Sequence, residues 1–391
     1  MSRPSKSVTE LLSQTSKNKH TLKLYVQRSS VTPSLKSQIL LIINRNTIPF
    51  GNNCDCSSNT PMAKPPRDIA DLSAFHDYFL NSQTILAVVG AGLSASSGLS
   101  TFRGSAGLWR NYSPIDLATP DAFQIDPGLV WQFYSSRRFQ ALKARPNKGH
   151  FALAELSRRK NDDFLTLTQN VDGLSTRAKH EKNRLLELHG SLFTLKCTGF
   201  FCNYVEENNR SHPLTPALGG NEDELAIKKR KKDDGDIDQL EKRRKLDSPA
   251  KDEQTPSSVT SSPDFKPVSS IPEDELPHCP KCNSLLRPGV VWFGESLPLK
   301  VIDAADEFLT SRKVDLVLVI GTSGTVWPAM GYVERVQKQG GKVAVFNTEI
   351  DEEEVRKSGG WGFKGDAAEW LPKALEPIIG SEYLPRGWRT M

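Results

Sequence analysis

The chain has 391 residues, 37% hydrophobic and 25% charged, with a net charge of +5. That length holds one large domain or two ordinary ones, and the lean apolar content predicts that part of the chain stays unpacked. Residues 1–66 carry nine Lys and Arg against Glu10 and Asp55, so the rest sums to −2, which argues against nucleic acid as the main ligand of the folded part. No apolar run reaches membrane-spanning length; residues 39–43 are the best N-terminal candidate and are far too few.

Residues 1–66 are rich in Ser, Thr and Asn and end in Pro61 and the Pro65-Pro66 pair. A transit peptide has this acid-poor character, and a disordered extension or a wrongly assigned start fits the same residues. From Asp68 the pattern is globular. Residues 84–89 (TILAVV) predict a buried strand ending at Gly90, and residues 163–168, 314–320 and 342–346 predict three more. Near-continuous Val, Ile and Leu mark a parallel sheet covered on both faces. Helical patterns over 121–144 and 330–339 separate these runs, so the expected fold is α/β, a doubly wound parallel sheet.

Residues 90–95 read Gly90-Ala91-Gly92-Leu93-Ser94-Ala95, directly after the first strand. Glycines let backbone N–H groups approach a pyrophosphate, and a following helix N-terminus favours its charge. A glycine-rich turn is often only a turn, but this position points to a dinucleotide. The acid that usually closes a second strand is missing. Instead Asn347-Thr348-Glu349 follows the strand at 342–346, which would place Glu349 beside a ribose hydroxyl. Gly321-Thr322-Ser323 also follows a strand at once, so three strand-end loops converge on one crevice.

Two cysteine pairs, Cys197-x4-Cys202 and Cys279-x2-Cys282, have metal-site spacing and suit a reducing compartment. Four thiolates would close a tetrahedral Zn²⁺ shell with no position left for water, so the metal is expected to be structural. Cys54 and Cys56 read as stray thiols. Between the pairs, residues 206–275 carry few large apolar side chains, and 222–253 hold ten Lys and Arg and eleven Asp and Glu, which predicts a disordered charged insertion. Its basic blocks, 228–232 and 242–245, suit either a bipartite nuclear signal or a solvated loop. The last residues, 381–391, read as a C-terminal tail.

Residues 90–109 (GAGLSASSGLSTFRGSAGLW), 168–172 (TQNVD), 188–190 (LHG), 321–323 (GTS) and 347–349 (NTE), together with the cysteine pairs, occur in sirtuin order. The chain resembles the sirtuin family from about residue 68 to 375, and within it the class III, desuccinylase-type branch. The resemblance implies a large Rossmann-like domain and a smaller zinc-binding domain around 191–292, with NAD and acyl-lysine meeting between them. It assigns NAD contacts to Gly90, Ala91, Gly92, Ser94, Ala95, Phe102, Arg103, Trp109, Gln169, Asn170, Val171, Asp172, Gly321, Thr322, Ser323, Asn347, Thr348, Glu349 and Ala367. The long insertion and the Cys197-x4-Cys202 spacing, two residues longer than usual, depart from the family pattern.

The implied reaction captures the ribose anomeric carbon with the acyl oxygen and releases nicotinamide. His189 then takes a proton from a ribose hydroxyl, a task suited to a side chain that titrates near neutrality. Asn170 and Asp172 would organise the nicotinamide ribose and carboxamide, though turn chemistry before Gly173 accounts for the same residue types. Phe102 would shield the sugar, and Arg103 would bind phosphate or hold a mobile loop. Tyr134 and Arg137, at i and i+3 of a predicted helix, share one face. In class III sirtuins such a pair grips the carboxylate of the acyl group; small Ser105 and Ala106 would leave it room. Core packing of Tyr134 and solvation of Arg137 is the alternative.

The expected function is NAD-dependent removal of succinyl, malonyl or glutaryl groups from protein lysines, with weaker deacetylation, by a monomer that touches neither membrane nor nucleic acid directly. Generic deacetylation, protein ADP-ribosylation and a non-enzymatic zinc module that binds chromatin are the competing readings. The leader points to mitochondria, and the basic blocks leave nuclear or cytoplasmic residence open.

Overall fold

The computed structural model describes residues 68–101, 109, 110, 112–219, 270–324 and 326–388. The leader with Cys54 and Cys56, the loop residues Phe102, Arg103, Ser105 and Ala106, and both basic blocks lie outside the described residues.

Among the described residues the strands are β1 (Ile85–Val89), β2 (Phe164–Thr168), β3 (Leu185–Glu187), β4 (Gly190–Cys197), β5 (Val205–Glu206), β6 (Leu286–Val290), β7 (Leu316–Ile320), β8 (Lys342–Asn347) and β9 (Trp361–Lys364). Six of them make one sheet, ordered β3-β2-β1-β7-β8-β9, parallel throughout. Alternate side chains of β1 serve two cores. Ile85, Ala87 and Val89 join Phe75, Phe79, Leu153 and Leu371 from helices Leu72–Asn81, Lys148–Lys160 and Ala367–Ile379. Leu86 and Val88 join Phe308 and Val333 from helices Leu299–Ser311 and Ala329–Lys338 on the other face. The sheet is therefore doubly wound, as the apolar runs predicted. From β1 the chain winds first toward β2 and later returns through β7 on the opposite side. The reversal opens a crevice at the carboxyl ends of β1 and β7, where ligands bind in such folds.

The smaller sheet, β5-β4-β6, is antiparallel. It packs against helix Pro127–Lys143 through Trp131, Phe133, Tyr134, Leu192, Leu286 and Trp292. Trp131 Nε1 donates to the Leu286 carbonyl at 2.9 Å. The buried Arg138 donates to the carbonyls of Leu192, Asn209 and Ser211. An arginine in that place ties its helix to β4 and to the stretch 209–211 at once.

Three expectations are corrected. The helix expected over 121–144 is two, Pro120–Ile125 and Pro127–Lys143, because Asp126 leaves helical geometry to cap Leu129 N at 2.8 Å and Pro127 starts the next helix. The charged insertion has ordered shoulders: Leu218 is buried, Asn209 N meets the Phe193 carbonyl at 2.8 Å, and Ser270 Oγ donates to Asp126 at 2.9 Å. Sparse apolar residues there attach to the small domain. The supposed tail also packs, with Tyr383, Leu384 and Trp388 against Phe151, Ala154 and Ala178. Among the described residues no helix is long and apolar enough to cross a membrane.

Candidate active site

Four strand-end loops meet at the crevice. Gly90 N reaches the Ile320 carbonyl, Gly92 N the Gly321 carbonyl, Gln169 N the Val89 carbonyl and Gly321 N the Phe346 carbonyl, each at 2.8 Å. Side chains extend the lacing: Thr322 Oγ1 donates to Gln169 Oε1 at 3.1 Å, Asn347 Nδ2 to the Thr322 carbonyl at 3.0 Å, and Asn170 Nδ2 to the Gly90 carbonyl at 3.0 Å. A Cβ on Gly90 would lie 2.7 Å from the Gly321 oxygen, and one on Gly92 would lie 2.6 Å from the Gly321 Cα. These glycines are thus required first by the docking of one loop on another.

Gln169 Nε2 is buried with no partner among the described residues, while its Oε1 is held by Thr322. Buried donors are rarely left unmet, so a polar ligand group such as an NAD hydroxyl would fit this one. Ser94 Oγ donates to Asp172 Oδ2 at 2.6 Å, and Asp172 Oδ1 accepts from Leu174 N at 2.8 Å. Asn347 Oδ1 accepts from Thr348 N, and Glu349 is exposed. Ala91 caps the short helix Gly92–Ala95, and Ala367 begins the last helix. Val171 and Trp109 sit against the small-domain core; Trp109 stacks edge-on to Phe133 at 5.7 Å. Ser323 follows Thr322 in the crevice loop.

His189 begins the turn into β4, its carbonyl bound by Val291 N at 2.8 Å. Its Nδ1 lies 3.0 Å from the Gln169 carbonyl, an acceptor only, so Nδ1 carries the proton and Nε2 keeps its lone pair. Burial lowers its pKa below the usual 6.5, opposed by that hydrogen bond. The group is therefore a neutral base near pH 7. Glu187, two residues earlier, is pushed up to about 7 by burial and by Asp172 and Glu207.

His150 and Asn147 were not singled out from the sequence. They form a reciprocal cap on helix Lys148–Lys160, in which Asn147 N donates to His150 Nδ1 at 3.3 Å. Nε2 then carries the proton of the neutral ring and faces Ser94 Oγ at 3.4 Å. Burial holds His150 down to about 4, with Asp172 opposing the shift. The Asn-x-x-His spacing before an apolar helix was the legible signal; its contact with Ser94 was not.

Tyr134 and Arg137 stand one turn apart on helix Pro127–Lys143. Arg137 Nη1 points to the Ser100 carbonyl at 3.4 Å, and the guanidinium, its pKa lowered by burial, is in the field of Tyr134 and Asp172. Trp292, also missed, donates from Nε1 to the Tyr134 hydroxyl at 3.0 Å.

The four sulfurs of Cys197, Cys202, Cys279 and Cys282 lie within 4.8 Å of one another, with Cys197–Cys282 at 3.4 Å and Cys202–Cys279 at 3.7 Å, and none is in a disulfide. A tetrahedron with zinc–sulfur bonds of about 2.3 Å has edges of about 3.8 Å, so the thiols fit Zn²⁺. The long first spacing is absorbed by a turn, with Cys202 N on the Gly199 carbonyl at 2.9 Å and Phe200 and Phe201 outside it.

A ligand crevice at the switch point of a Rossmann-like sheet, flanked by four clustered thiols, defines a nucleotide-binding enzyme with a place for a structural metal. The Sir2 family model matches residues 90–328. The chain is 57% identical over 314 residues to an NAD-dependent protein deacylase of Candida albicans, covering 79% of this chain and 98% of the relative. It is 38% identical to the mitochondrial NAD-dependent protein deacylase sirtuin-5 of Canis lupus familiaris, covering 81% and 87%. A crystal structure of a Sir2 homologue bound to NAD superposes with a TM-score of 0.56 at 32% identity, covering 78% and 93%. The chain belongs to the Sir2 family.

Proposed function

We propose that this chain, an NAD-dependent protein-lysine deacylase, prefers short acidic acyl groups (succinyl, malonyl, glutaryl) to acetyl. The observation that carries the preference is the pairing of Tyr134 with Arg137 on one helix face, where the guanidinium also feels Asp172 of the crevice. A planar, permanently charged guanidinium matches a carboxylate in two parallel hydrogen bonds, and a phenol adds a donor.

NAD is consumed as a co-substrate and supplies an activated ribose. His189 Nε2 accepts the proton of a ribose hydroxyl, and the Gln169 carbonyl holds the ring in the tautomer this needs. Asn170 and Asp172 orient the sugar and carboxamide, with Ser94 and His150 fixing the Asp172 carboxylate. The glycines, Gln169, Thr322 and Asn347 hold the dinucleotide. Cys197, Cys202, Cys279 and Cys282 would hold Zn²⁺ with four sulfurs, and its work there would be to keep β4 and β6 in register.

The preference is tested by kcat/KM on succinyl- and acetyl-lysine peptides of one sequence. Arg137→Met should cost succinyl processing on the order of 2–5 kcal/mol, the scale of a broken buried charge pair, or about 30- to several-thousand-fold. The acetyl peptide should change far less; equal losses would assign Arg137 to the fold. The basic leader and the word mitochondrial in the sirtuin-5 name support mitochondrial residence, checked by following tagged chains with and without residues 1–66. The monomeric state is checked by light scattering.

A further inference from the structure

A phenol has one proton to give and two lone pairs to receive with. At Tyr134 one lone pair is taken by Trp292 Nε1 at 3.0 Å, and among the described residues nothing accepts the hydroxyl proton. Both rings are nearly closed to solvent, Tyr134 at 5% and Trp292 at 3% exposure. An indole N–H cannot accept, so the phenol proton must point away from Trp292.

The indole is held on several sides. The Arg287 guanidinium lies over its ring, 3.5 Å from the centroid. Glu295 grips that guanidinium at 2.6 and 2.9 Å and accepts from Trp292 N at 2.9 Å. Arg287 also donates to the Val290 carbonyl at 3.1 Å, and Phe123 packs on the indole at 5.1 Å. One ion pair thus fixes both the backbone and the ring of Trp292. Burial raises the Tyr134 pKa far above its usual range, so the group stays a neutral donor at any working pH.

We infer that Trp292, braced by Arg287 and Glu295, is a positioning residue for acyl recognition: its N–H occupies the Tyr134 oxygen from behind and keeps the phenol proton available to the carboxylate of an acidic acyl group. This rests on the acidic-acyl reading above. Acetyl-lysine has no such carboxylate and gains little from the arrangement.

The test is a double-mutant cycle with Trp292→Phe and Tyr134→Phe, read as kcat/KM on succinyl- and acetyl-lysine peptides. Trp292→Phe should lower succinyl processing about 3- to 10-fold, the scale of one neutral hydrogen bond, mainly through KM, and lower acetyl processing by less. In the Tyr134→Phe background the selective part of that loss should vanish. Should Trp292→Phe fold poorly, benzothienylalanine at position 292 removes the N–H at nearly unchanged shape and should give the same selective loss. Equal losses on both peptides, or additivity with Tyr134→Phe, would overturn the inference. If Tyr134→Phe and Arg137→Met shift the succinyl-to-acetyl ratio and neither change at Trp292 does, this inference alone falls. If wild type has no succinyl preference and those two variants leave the ratio unmoved, the parent reading falls with it.

Discussion

At the scale of single residues, chemistry follows from which atom of a ring faces a carbonyl. The Gln169 carbonyl fixes the His189 tautomer and burial keeps the ring neutral, so the base is ready without a charged partner. His189→Ala should reduce deacylation by about 10²–10⁴-fold while NAD binding, followed by calorimetry, largely survives. Wild-type turnover in that variant would require another base. Because the neutral ring is the active form and burial lowers its pKa, the acid limb of the kcat profile should lie at lower pH than that of an unburied imidazole. Two other histidines bear on stability. Burial holds His150 and His180 down to about 4, against 6.5 in an open chain. Between those values the unfolded chain binds more protons than the native one, so their contribution is intact above pH 6.5 and is lost toward pH 4. Each is worth on the order of 3 kcal/mol. Urea midpoints from pH 7.5 to 4.5 should fall steadily, and His180→Gln should flatten part of the slope.

At the scale of elements, the strand-end loops are one laced unit. Gly321 is the tightest point, with φ of 56° and an added Cβ only 2.4 Å from Leu93 N. Gly321→Ala should cost about 1–3 kcal/mol of stability, the price of a strained backbone position, and weaken NAD binding through displacement of Gly90 and Gly92. Thermal melts with and without NAD measure both effects. An unchanged melt would mean that the loop relaxes freely. The buried strands were legible because both faces of a parallel strand are covered, which leaves unbroken Val, Ile and Leu. β3 was missed because it is a half-buried edge strand of three residues, and β9 because WGFK carries no apolar run. The break at Asp126 was written in its Asp-Pro pair, which caps and restarts a helix.

At the scale of the whole molecule, the small domain rests on helix Pro127–Lys143 and on four clustered thiols that fit a metal ion. Cys279→Ser or strong chelation should destabilise that domain and remove activity indirectly, because metal binding and folding are coupled there. The measurements are zinc content, near-UV dichroism and deacylation on one sample. Full activity in demonstrably metal-free protein would refute a structural zinc. The same domain carries Trp292, so zinc loss should lower succinyl processing before the parallel sheet unfolds.

The sequence by itself determined the four inner strands of the sheet, the strand-end loops and the four thiols, because each is set by local spacing: a run of branched residues, a glycine turn, cysteines with two or four residues between them. It also placed Tyr134 and Arg137 on one face through helical period alone. Only the tertiary structure decided what those residues meet. Trp292 lies 158 positions from Tyr134 and His150 lies 56 from Ser94, and no local pattern encodes such pairings. They arise when the crossover brings β6 against helix Pro127–Lys143 and the capped end of helix Lys148–Lys160 beneath the Gly90 turn. A hydrogen bond across such a distance is fixed by packing of the elements that carry its two ends, so it could be read only once they had been assembled.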